Sequence, residues 1–195
     1  SSPDGINWTE ETASAAFSPR YAHSSVVFNN KMWVIAGTNN VRDVWSSPDG
    51  INWAEETASA GFSPRSSHAS FVFNNKIFVI GGNSGSTAFN DIWSTPDGIN
   101  WTQESAAAGF SGRSSHKITV TPNDGIWLVG GSIPFSPYQD DVWSSVDGVN
   151  WTFEGDSIFP ARAGHAQYFF DNSLWIAAGA GPGGDHLRAV WKLPF

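Results

Sequence analysis

Cysteine is absent from the 195 residues, which excludes a disulfide frame, a thiolate nucleophile and any cysteine-based zinc site. It says little about compartment, since exported and cytosolic proteins both do without it. Basic residues are scarce: ten Lys and Arg stand against eighteen Asp and Glu, a formal net charge of −8. Nucleic acid and anionic membrane are thereby excluded as main partners, because both need a basic footprint. No run approaches the roughly 18 consecutive apolar residues of a membrane span, so no membrane insertion is expected. Helical periodicity is missing too, and no helix of length is predicted. The opening Ser-Ser-Pro-Asp-Gly is a turn, without the basic and apolar segments of a secretory signal. The Asn-, Ser- and Gly-rich, Lys-poor composition fits an extracytoplasmic or secreted module, although the compartment itself is left unknown.

Aromatic residues are abundant, with 11 Trp and 14 Phe, and they fall into a repeat. SSPDGINW at Ser1 returns as SSPDGINW at Ser46, STPDGINW at Ser94 and SSVDGVNW at Ser144. The match extends over units 1–45, 46–93, 94–143 and 144–191, with a tail 192–195, and the whole chain reads as one domain. Each unit runs D-G-x-N-W, a Ser/Ala/Glu-rich link, F-x-x-R-x-x-H, two apolar runs, a loop of variable length and D/A-V/I-W. In the second unit this predicts strand A at about His68–Phe73, B at Ile77–Ile80, C at Asp91–Ser94 and D at Ile99–Glu104. Asn74-Asn75 supplies a tight A–B turn, because Asn tolerates positive φ, and Pro96-Asp97-Gly98 the C–D turn. Four antiparallel strands per unit of about 48 residues is the signature of a β-propeller blade.

R-x-x-H, a strand, G-G, a variable loop and an acidic-aliphatic-Trp strand together resemble the kelch repeat, in register over all four units. The S-x-x-D-G-x-N-W phrase also resembles the Asp box of sialidase-type propellers, one residue tighter, and is read as a structural hairpin. The expected fold is all-β: a propeller of four-stranded antiparallel blades, with the N-terminal strand D completing the last blade beside a strand C at Leu187–Leu193. Closure of four blades within one chain is the first reading. An eight-bladed ring of two chains exchanging their terminal strands, or a fragment of a larger propeller, are the alternatives.

Every Trp occupies a repeat position, which favours the wedge between blades over a sugar-stacking platform. His23, His68, His116 and His165 recur on the innermost strand. They are read as hydrogen-bonding backbone of the neighbouring blade rather than as metal ligands, and no metal or cofactor is expected. Arg20, Arg65, Arg113 and Arg162 enter strand A three residues earlier. If free, four guanidiniums would circle one channel mouth and receive carboxylates; the alternative is a repeat-internal ion pair with Asp43, Asp91, Asp141 or a strand-D Glu. The B–C loops differ among copies, which makes Phe89, Phe135, Tyr138 and His186 candidate contacts or loop packing. The kelch resemblance implies that the face carrying the D–A and B–C loops is the binding surface.

A catalytic constellation must break the repeat symmetry, and none does. Asp and Glu recur with the scaffold, Tyr21, Tyr138 and Tyr168 pair with no Glu, and a cysteine-tyrosine radical site is impossible. The expected function is therefore a non-enzymatic interaction propeller for a protein or peptide, acidic if the arginines are free. A carbohydrate-binding or sialidase-like module is the alternative, and a self-assembling repeat protein, homodimeric through its termini, is another.

Overall fold

The recurring eight-residue phrase folds as a locked turn. In the computed structural model, which describes residues 1–123, 125–134 and 138–194, Asp97 Oδ1 accepts the backbone N–H of Ile99 and of Asn100, both at 2.8 Å. Its Oδ2 accepts Asn100 Nδ2 at 2.8 Å, and Thr95 Oγ1 accepts the Gly98 N–H. Asp4, Asp49 and Asp147 repeat the arrangement. Gly98 sits at φ +78, and a Cβ there would lie 2.0 Å from the Trp33 ring of the preceding blade. The aspartate thus takes the place of a backbone turn partner, and glycine lets the turn lie against the neighbouring indole.

Blade 1 contains β1 (Ser24–Phe28), β2 (Lys31–Ile35), β3 (Val44–Ser47) and β4 (Ala54–Thr57). Blade 2 contains β5 (Ala69–Phe73), β6 (Lys76–Ile80), β9 (Ile92–Thr95) and β10 (Thr102–Ser105), with a small hairpin β7 (Asn83–Ser84) and β8 (Thr87–Ala88) in its variable loop. Blade 3 contains β11 (Lys117–Val120), β12 (Ile126–Gly131), β13 (Gln139–Ser145) and β14 (Thr152–Gly155). Blade 4 contains β15 (Ala166–Phe170), β16 (Ser173–Ala177) and β17 (Val190–Pro194). All pairings are antiparallel between chain neighbours, the meander of a propeller blade. The one helical element among the described residues is the 3-10 turn Pro182–Gly184.

Strand D starts later than the pattern predicts, at Thr102 rather than Ile99, because Ile99 and Asn100 are held in the turn by Asp97. A register shift follows in each complete blade, at Glu56, Glu104 and Glu154. Such a bulge re-aims its side chain: each glutamate accepts the strand-C hydroxyl of Ser46, Ser94 or Ser144 at 2.5 Å. Lys31 and Lys76 reach Glu56 and Glu104 from strand B.

The core lies between blades, since successive residues of a propeller strand face opposite neighbours. Phe28, Trp33 and Ile35 pack with Ile77 and Val79. Phe73, Phe78 and Ile80 pack with Ile126 and Leu128, and Val129 and Val142 with Leu174 and Ile176. Trp33 is buried, whereas most other indoles are half-buried at the blade margins. Phe17, Phe62 and Phe110 each meet the strand-C and strand-D Trp of their own blade, Phe62 edge-on to Trp101 at 5.0 Å.

The inner strands adjoin in the series β1, β5, β11, β15, and among the described residues no comparable contact joins β15 to β1. The fourth sheet has three strands, and no strand precedes Ser24. Among the described residues the N-terminal segment therefore makes no strand pairing with blade 4. Ser1 instead pairs with Thr9 through two backbone bonds, each 2.7 Å, and Trp8 is 75% exposed.

Candidate functional site

The four arginines are positioned alike: each follows the Phe-x-x lead into the innermost strand, with its Nε–H donated to a carbonyl two residues back. Nη1 of Arg20, Arg65, Arg113 and Arg162 donates to the carbonyls of Ala36, Gly81, Gly130 and Ala178. In three blades a fork to the strand-C aspartate completes the set. Arg20–Asp43 and Arg65–Asp91 close at 2.7 Å and Arg113–Asp141 at 2.6 Å, both guanidinium tips engaged. The three arginine side chains are essentially unexposed. The ring of free guanidiniums does not form: the internal ion pair prevails, because a buried arginine without its carboxylate is strongly unfavourable.

Arg162 breaks the pattern. Ala189 stands where the other blades have aspartate, and Arg162 Nη2 is buried with no hydrogen-bond partner in the structure. Burial lowers its pKa.

Phe89 is not a free contact either. Its ring covers Arg65, with the guanidinium carbon 4.5 Å from the centroid, while its backbone bonds to Gly82 and to Arg113 of blade 3. Tyr138 is half-buried just before β13, and His186 is exposed, paired with Ala180 by an isolated bridge. Phe135 lies outside the described residues.

The histidines depart from expectation in detail. His68 Nε2 meets Ser24 Oγ of blade 1 at 2.6 Å, a side chain rather than backbone. Among the described residues both ring nitrogens of His116 are buried without partners, while the buried His165 ring has the Gln167 side chain beside it. Their rings press on glycines of the preceding blade: a Cβ on Gly81 would fall 2.8 Å from His116 Cε1, and one on Gly130 3.3 Å from His165 Cε1. Burial holds the imidazoles neutral, His68 down at about 3 and His165 at about 4, with His116 also well below its ordinary value. Among the described residues no group of three or more His, Asp or Glu converges to hold a metal ion.

Two features escaped the sequence reading. The residue before each histidine, Ala22, Ser67, Ser115 or Gly164, has positive φ. The Ser67 N–H donates to Ala22 O, Ser115 N–H to Ser67 O and Gly164 N–H to Ser115 O, so a string of backbone bonds ties blade to blade at the axis. The second is a cleft of about 290 Å³ between blades 1 and 2. Loop 37–40 of blade 1 forms one wall, and Pro64–Ser66 with Asn83–Gly85 of blade 2 the other. The D–A and B–C loops therefore meet on one face, as the up-down topology requires. Its polar groups are amides and hydroxyls on a braced frame: Asn39 Nδ2 donates to Pro19 O, Asn83 Nδ2 to Gly85 O, and Thr38 Oγ1 accepts the Tyr21 N–H. Sequence variation marks these loops, but Asn39, Asn40 and Asn83 are ordinary turn residues whose place in a cleft no sequence signal reveals. A separate cavity of about 270 Å³ opens on the axis, between His23, Ser25, Ser70, His116 and Lys117.

The repeat carboxylates are already engaged: Asp43, Asp91 and Asp141 by arginine, Asp4, Asp49, Asp97 and Asp147 by the turns, and Glu56, Glu104 and Glu154 by serine. Comparison with known proteins agrees with this architecture. Residues 4–179 match the KLHDC2/KLHL20/DRC7 Kelch-repeats domain. Among solved structures, YjhT superposes with a TM-score of 0.79 at 18% identity over 95% of this chain. The alignment spans 66% of the YjhT chain. Among curated proteins no significant match is found.

Proposed function

From the premise that this chain belongs to the kelch-repeat family, whose propellers generally serve protein interaction, we propose that it is a non-enzymatic interaction propeller. Its partner is a protein segment seated in the cleft between blades 1 and 2. One observation carries the reading: two B–C loops, the segments in which the repeats differ, line the cleft at 37–40 and 83–85 beside the repeated D–A segment Pro64–Ser66. Conserved geometry beneath variable loops is how a rigid scaffold presents a selective surface. Asn39, Asn40, Asn83 and Ser84 offer both donors and acceptors, which suits the backbone of an extended peptide. The cleft does not select for acidity, because Arg20, Arg65 and Arg113 are neutralised by their own aspartates.

Selection of a random peptide library against the immobilised protein tests this. Enriched peptides are expected to bind at least about tenfold more weakly to Asn39→Ala and Asn83→Ala, and unchanged to Gln103→Ala on the far edge of blade 2. Binders indifferent to both cleft substitutions, or hits confined to a glycan panel, would overturn it.

A further inference from the structure

Blades 1 and 4 each expose a surface that is core everywhere else in the molecule. Val44, Ile92 and Val142 are at most 1% exposed, but Val190 at the same point of blade 4 is 58% exposed. Phe28 and Phe73 are buried, yet Phe170 is 66% exposed. On blade 1, Val27 is 72% exposed and Met32 is also open, at the positions where Val72 and Ile77 pack against the preceding blade. The two surfaces are therefore the complementary halves of one interblade contact, presented at opposite ends of the series.

Backbone follows the same logic. β17 is a strand C without a strand D, and Thr9-Glu10-Glu11-Thr12 is a strand-D sequence without a sheet. Its counterpart Ala54-Glu55-Glu56-Thr57 forms β4. Trp8 lacks the phenylalanine that Trp53, Trp101 and Trp151 have. Phe159, which stands where Phe17, Phe62 and Phe110 do, lines a small apolar cleft with Trp191 and Leu193. Charge matches as well. Lys192 holds the strand-C position of Ser46, whose hydroxyl reaches the bulge glutamate, and Glu11 is the bulge glutamate of the unpaired strand.

We infer that a second copy of this chain docks head-to-tail on blade 4. Thr9–Thr12 of that copy adds to the free edge of β17, Trp8 fills the cleft at Phe159, and the Val27/Met32 face covers Phe170 and Val190. Ser1, which in the single copy bonds the Thr9 backbone and whose hydroxyl donates to the Glu11 carboxylate, releases both, and Lys192 takes its place opposite them. Both elements of the contact, edge pairing and face packing, copy those already made three times within the chain. A heterologous contact of this kind closes into a ring or continues as a filament.

Native mass over a dilution series tests the inference. A species at twice 21.0 kDa or a higher multiple is expected. Its dissociation should shift by about tenfold or more toward higher concentration in Trp8→Ser and Phe170→Asp. Trp8 and Phe170 are exposed in the single copy, so unchanged far-ultraviolet circular dichroism should accompany the loss. Glu11→Lys should weaken association and Lys192→Glu in the same chain restore it. A single-copy mass at every concentration overturns the inference, as does association that ignores Trp8→Ser and Phe170→Asp.

Discussion

Arg113 and Arg162 occupy equivalent points of neighbouring blades, and one carboxylate separates them. Arg113 gives both tips to Asp141 and Nη1 also to Gly130 O. Arg162 keeps the carbonyl of Ala178 but buries Nη2 unpaired, and the sequence has Ala189 at the position of the missing aspartate. Asp141→Ala would reproduce that state in blade 3 and is expected to cost about 3–5 kcal/mol, the usual penalty for stranding a buried charge. Equilibrium unfolding in denaturant measures it. The converse change, Ala189→Asp, should stabilise by about 1.5–3 kcal/mol through charge-assisted hydrogen bonds to Arg162. No gain in that variant would mean that the Ala189 side chain does not face the guanidinium. The turn aspartates act on a smaller scale. Hydrogen bonds from Asn150 and from the backbone of Asn150 and Val149 outweigh burial at Asp147 and hold its pKa at about 2. Asp97→Ala should free the donors of Ile99 and Asn100 and lower Tm, an effect read by differential scanning calorimetry.

At the scale of elements, the innermost strands carry a pH dependence. A histidine held neutral in the fold takes up a proton when the chain unfolds, so the unfolded state binds more protons below about pH 6.5. Stability is thus full above the ordinary histidine pKa of 6.5 and declines as pH falls toward the folded values, about 4 for His165 and about 3 for His68. Each such histidine contributes about 1.4 kcal/mol per pH unit in that window. Unfolding midpoints at pH 7 and pH 5 should differ accordingly, and His116→Asn should flatten the slope. Strand order within a blade was legible in the sequence because every blade repeats the same turns and the same alternation. The arginine site was legible only as two alternatives, since spacing alone does not reveal that Asp43, Asp91 and Asp141 fold back onto Arg20, Arg65 and Arg113. The start of strand D was misplaced for a local reason: the Asp97 hydrogen bonds hold Ile99 and Asn100 in the turn, although they alternate like a strand. The missing fourth strand of blade 4 was invisible, because Thr9–Thr12 has the sequence of a strand and lacks only a neighbour.

For the whole molecule, charge and apolar surface act together. The net charge of −8 vanishes near the isoelectric point of about 4.9, while Val27, Phe170 and Val190 remain open at the two ends. Turbidity should peak near that pH and fall on either side, since repulsion is then weakest between molecules with exposed apolar patches. The backbone string from Ala22 through Ser67 and Ser115 to Gly164 has a mechanical meaning. It joins the blades in series, adding one bond at the axis to the loop bonds that each neighbouring pair also shares, such as Gly37 N–H to Arg65 O and Gly82 N–H to Arg113 O. Pulled by its two termini, the molecule should yield blade by blade from an end inward rather than all at once. Each rupture would then lengthen the tether by about 48 residues, roughly 160–170 Å of contour.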